Sequence, residues 1–117
     1  PAAWFQRRVL EHRLVPSTLI QYRRFARVRH EGNNAMRLTI DRHIRSVAAF
    51  DWLVPASLDS NAVSLTDLEM VELKFDNMMP AAFRELMLKF NLTRSKFSKY
   101  RTSVLSTGRA TNVRLVA

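Results

Sequence analysis

The sequence predicts an α+β fold of antiparallel strands with charged faces and at least one amphipathic helix packed against them. Three observations carry this. Residues 18–29, 35–40 and 68–75 alternate with period two, the repeat of a strand with two distinct faces. A Gly-Asn cluster, His30-Glu31-Gly32-Asn33-Asn34, separates the first two runs as a hairpin turn would. After Pro80, the residues Phe83, Leu86, Met87 and Phe90 follow the i, i+3, i+4, i+7 stripe of a helix with one buried face.

In chain order, residues 1–13 predict a short helix, with Trp4, Phe5, Arg8 and His12 near helical spacing and Pro16-Ser17 ending it. From Thr18 to Arg29, one strand face reads Ile20, Tyr22, Arg24, Ala26, Val28, and the other reads Leu19, Gln21, Arg23, Phe25, Arg27, Arg29. Beyond the turn, Met36, Leu38 and Ile40 share a face opposite Arg37, Thr39 and Asp41, and a further short strand is expected over 42–47. Residues 51–66, with Pro55 and Asp59-Ser60-Asn61, read as a long connection. In 68–75, Val71, Leu73 and Phe75 oppose Met70, Glu72 and Lys74. Pro80 suits a helix start and Asn91 its end. Residues 95–100 (SKFSKY) form a basic and hydroxyl cluster, and the tail from Ser106 reads as loosely structured, broken at Gly108. The expected divisions are therefore 1–17, an N-terminal segment; 18–105, the main domain; and 106–117, a tail.

Composition narrows the chemistry. The 117 residues suffice for one small core. Nineteen basic residues, of which 15 are arginine, outweigh 10 acidic ones for a net charge of +9. That excess favours a polyanionic partner, and arginine favours bidentate phosphate contacts. Cysteine is absent, which excludes disulfides, Cys-ligated zinc and thiol catalysis and fits a reducing compartment. No apolar run is long enough to span a bilayer, the first residues do not form a signal peptide, and a hydrophobic content of 47% argues against a disordered basic tail.

Candidate site residues follow from the faces. Arg24 and Arg37, on paired strands, would project together as a phosphate clamp, or form an ordinary solvated face. Asp41, on the alternation of Arg37, is a pairing partner for it or for Arg24. Glu72 and Lys74 share a strand face: the carboxylate suits a divalent metal and the lysine that metal's phosphate ligand, or the two form a plain salt bridge. Lys96, Ser98 and Lys99 form a third cluster, either functional or simply surface charge. His12, His30 and His43 share no metal-ligand spacing, and no Gly-rich phosphate loop or nucleophile elbow is present.

The order of these motifs carries a resemblance. Tyr22-Arg23-Arg24-Phe25-Ala26, then Arg37-Leu38-Thr39-Ile40-Asp41-Arg42, then Val71-Glu72-Leu73-Lys74-Phe75, a Pro-led helix and Ser95-Lys96-Phe97-Ser98-Lys99-Tyr100 together resemble the vacuolar transporter chaperone (VTC) domain, the polyphosphate polymerase domain. The resemblance covers about residues 18–103 and lies in that domain's C-terminal half. It implies a triphosphate-tunnel β-barrel with an Arg-, Lys- and Glu-lined lumen, helices outside, and Met36, Leu38, Ile40, Leu73 and Phe75 facing those helices. It implies transfer of the ATP γ-phosphate to a polyphosphate chain with a divalent metal, manganese or else magnesium. By position, Arg24, Arg37, Lys96, Ser98 and, less directly, Lys74 match phosphate-binding residues; Lys99 matches the reaction centre and Glu72 the metal ligand. The implied partners are ATP, polyphosphate, and an N-terminal half or second chain that closes the barrel. No specific nucleic acid is expected, and membrane association only through other parts of the protein. The implied location is the cytoplasm or the cytosolic face of a membrane. A triphosphatase of the same superfamily and a non-catalytic polyphosphate- or nucleic-acid-binding module are the alternatives.

Overall fold

In the computed structural model, residues 2–109 are described, and they run α1 (Ala2–His12), β1 (Thr18–Glu31), β2 (Asn34–Ala48), β3 (Val63–Ser64), β4 (Met70–Phe75), α2 (Ala81–Lys89) and α3 (Lys99–Ser106). The strands form one antiparallel sheet in which β2 pairs with β1, β3 and β4. The α+β expectation holds. The four described strands make an open sheet, not a closed barrel. Most of the expected tail, residues 110–117, lies outside the described residues.

The described residues divide into two units, one comprising 2–21, 45–65 and 99–109, the other 22–44 and 66–98. The second unit holds the hairpin. Gly32, at φ +58°, occupies the left-handed region that a two-residue turn demands and that only glycine enters freely. In β2, Met36, Leu38 and Ile40 sit opposite Phe75, Leu73 and Val71 of β4. This is the apolar face, and α2 covers it: Phe83 is buried with its ring edge-on to Phe75, centroids 6.3 Å apart. Pro80 stands at the N-cap of α2 with φ −59°, one residue before the helix. The pair of strands expected over 35–47 is one continuous strand. His43, at φ 51°, shifts its alternation, so burial runs through Thr39 and Asp41 and then Ile44 and Ser46. In β1, residues 23–30 are exposed on both faces, so the alternation read in the sequence does not sort them into inside and outside.

Within the first unit, α3 packs against the start of β1 and the end of β2. Ser103 and Val104 are buried, the Ser103 and Thr18 hydroxyls are in contact, and the Thr18 hydroxyl also donates to the Val47 carbonyl at 3.1 Å. Arg45 reaches from β2 to the Asp59 and Ala62 carbonyls, both at 3.2 Å, and so anchors the long connection that carries β3. Helix α1 buries none of its residues, and its Phe5 meets Trp52 edge-on at 6.2 Å.

The three described helices end alike. Arg13, Asn91 and Gly108 take φ 48°, 48° and 68°, and the next amide bonds the carbonyl five residues back: Leu14 to Val9, Leu92 to Met87 and Arg109 to Val104. These are Schellman caps, which satisfy carbonyls that a helix end leaves without partners. Asn91 is thus the expected stop, and Gly108 is the cap of α3.

Candidate functional site: a charged sheet face

The face of the second unit opposite α2 carries the charge. Asp41 donates nothing and accepts two bonds from Arg24: Nε to Oδ1 at 2.6 Å and Nη2 to Oδ2 at 2.8 Å. The contact resolves the choice of partner for Asp41 in favour of Arg24 and places the Arg24 head on the face of Arg37, Thr39 and Asp41. Asp41 is fully buried, whereas the Arg24 side chain keeps 30% of its surface exposed. The bond to Asp41, with smaller contributions from the nearby Tyr22 and Glu72, raises the Arg24 pKa against a burial effect of opposite sign, so its charge is fixed at any usable pH. The guanidinium also lies 4.9 Å from the Tyr22 ring centroid.

The β2–β4 register completes the face. Arg37 lies directly opposite Lys74, and Thr39 directly opposite Glu72. Along β4, Lys74 Nζ is 3.1 Å from Glu72 Oε1, the salt bridge that the spacing allowed. Among the described residues Arg37 has no ion pair, and its side chain is exposed. Like charges directly across a ladder destabilise a sheet. Placing Arg37 opposite Lys74 is therefore a local cost, reduced by the Glu72 carboxylate on Lys74. Four of the seven expected site residues, Arg24, Arg37, Glu72 and Lys74, thus share one face.

The other three belong to no described strand. Lys96 and Ser98, both exposed, belong to the irregular segment before α3, so Lys96 and Lys99 are not neighbours on one helix. Lys99 is the first residue of α3, half-buried, in the first unit. Two further residues of the charged face carried less signal in the sequence. Thr39 is buried with its Oγ1 lacking a hydrogen-bond partner, and Asp41 anchors Arg24. Both lie on the alternation of Arg37, which was the available clue.

No group of three or more His, Asp or Glu side chains able to hold a metal occurs among the described residues. Glu72, half-buried and bridged to Lys74, offers a single carboxylate, too few donors for a metal cage built by protein alone. No described helix is long and apolar enough to cross a membrane.

Comparison with curated proteins and with solved structures gives no match. The family comparison does. The VTC domain model matches residues 1–107, reaching past the motifs to include α1. With nearly the whole chain matched, from the first helix through the charged face to α3, this chain belongs to the VTC domain family, which is associated with polyphosphate polymerase.

Proposed function

We propose that this domain binds polyphosphate and ATP phosphates on its charged sheet face and contributes to transfer of the γ-phosphate onto the polyphosphate chain. The single observation that supports this best is Arg37 set directly across from Lys74, with Arg24 on the same face, opposite the one that α2 packs against. In the reaction, a terminal polyphosphate oxygen forms a bond to the γ-phosphorus while the bond to the ADP oxygen breaks, and ADP leaves. Such a transfer calls for charge neutralisation and alignment more than covalent help. Arg24, Arg37 and Lys74 hold phosphate oxygens; Lys96 and Ser98 contact the chain, and Lys99 meets the transferring group. Glu72 would hold a manganese or magnesium ion brought with the phosphates, and that ion would supply further neutralisation of their charge. Enclosing the polymer in a tunnel takes strands beyond the four described, added at the sheet's open edge.

The test uses the full-length protein with ATP and manganese, following product by chain length. Lys99→Ala and Glu72→Ala should each lower polymer synthesis by at least a hundredfold while leaving the thermal midpoint unchanged. Wild-type synthesis in either variant removes that residue from the site. Release of orthophosphate with no polymer would make the protein a triphosphatase, and binding without turnover a polyanion-binding module.

A further inference from the structure

We infer that Asp41 is a positioning residue: a buried carboxylate that holds the Arg24 guanidinium in a fixed plane and leaves its remaining donors for a phosphate chain. The inference deepens the proposed function and rests on it. A guanidinium has five N–H donors. Asp41 takes two, one on Nε and one on Nη2, in the two-point geometry that fixes both position and plane. Three donors remain, two on Nη1 and one on Nη2. The carboxylate is fully buried while the arginine is partly exposed, so the pair has a fixed end inside the sheet face and a working end at its surface. The Tyr22 ring lies against the same guanidinium, its centroid 4.9 Å away. A side chain already held this way loses little rotamer freedom when a ligand arrives.

The inference has a sign that simple electrostatics does not share. Asp41 is an anion within a site for anions. By charge alone, removing it should tighten phosphate binding; if it positions Arg24, removing it should weaken binding. Asp41→Asn keeps the shape and discards the charge, and inorganic tripolyphosphate is the probe, titrated calorimetrically into the full-length protein. The expected result is about tenfold weaker binding, the scale of one well-oriented charged hydrogen bond. In an Arg24→Lys background the same substitution should have no effect or tighten binding, because a lysine offers no fork for Asp41 to orient. A merely structural role would not reverse sign with the residue at 24.

Arg24→Lys alone gives a second reading that stands even if Asp41→Asn does not fold. It retains the charge and loses the fork, and should also bind about tenfold more weakly. Equal affinity in Arg24→Lys, or unchanged or tighter binding in folded Asp41→Asn, overturns the inference while wild-type binding leaves the proposed function standing. Failure of the wild-type protein to bind tripolyphosphate overturns both.

Discussion

The opposition of Arg37 and Lys74 makes stability and binding pull in different directions at single residues. Cross-strand like charges cost a few tenths of a kcal/mol to about 1 kcal/mol; Glu72 bridges Lys74, while Arg37 itself has no ion pair among the described residues. Arg37→Gln should therefore raise stability by about 0.5 kcal/mol, read as a higher urea midpoint at constant slope, while weakening tripolyphosphate binding severalfold. A variant that loses stability and binding together would instead make Arg37 a structural residue. The neighbouring Glu72–Lys74 bridge is exposed enough that its own contribution to stability is small. Its value lies in keeping a carboxylate and a cation side by side. Arg24 differs in kind, because its partner is buried and its geometry two-pointed. The alternation of Arg37, Thr39 and Asp41 made the charged face legible in the sequence. The partner of Asp41 was not, since alternation names a face but the β1–β2 register decides who meets across it.

At the scale of elements, the second unit depends on α2 covering the apolar side of β2 and β4. Phe83 is its one fully buried anchor, against Phe75. Phe83→Ala should cost about 3–5 kcal/mol, measured by chemical denaturation, and a loss below 1 kcal/mol would mean that α2 does not hold this face. A smaller effect of opposite sign is expected at Arg13, the one helix cap of the three that is neither Gly nor Asn. Its φ of 48° is strained for a side chain of that kind, so Arg13→Gly should stabilise by up to about 1 kcal/mol. Helix α2 was legible because its stripe repeats at 3.6 residues and proline precedes it. Helix α3 was not: KYRTSVLS has no apolar stripe, includes the β-branched Thr102 and Val104, and buries the small polar Ser103. Its formation rests on tertiary contacts, among them the Thr18 hydroxyl, that no local pattern encodes. The continuity of β2 through His43 was hidden for a related reason, since a single left-handed residue breaks the alternation without ending the strand.

For the whole molecule, a net charge of +9 attracts any polyanion from a distance, so binding alone does not distinguish polyphosphate from nucleic acid. Salt separates the two contributions. Diffuse attraction releases counterions and falls steeply as ionic strength rises, whereas bonds from oriented donors on a partly dehydrated face are screened much less. On the proposed function, the charged face takes a ligand that presents oxygens at every repeat with no sugar or base between them. Arg24 is held rigidly, and Arg37 and Lys74 are set one strand apart, so successive phosphoryl groups can meet successive cations. Polyphosphate carries its phosphoryl groups without interruption; single-stranded RNA places a sugar between them. At low salt the full-length protein should bind both polymers. On raising salt from about 50 to 200 mM, RNA affinity should fall by orders of magnitude while polyphosphate affinity falls less, opening a preference absent at the start. Arg37→Gln should narrow that preference by weakening the polyphosphate arm alone. Parallel salt slopes for the two polymers, unaffected by Arg37→Gln, would mean that net charge and not the arrangement of this face does the binding.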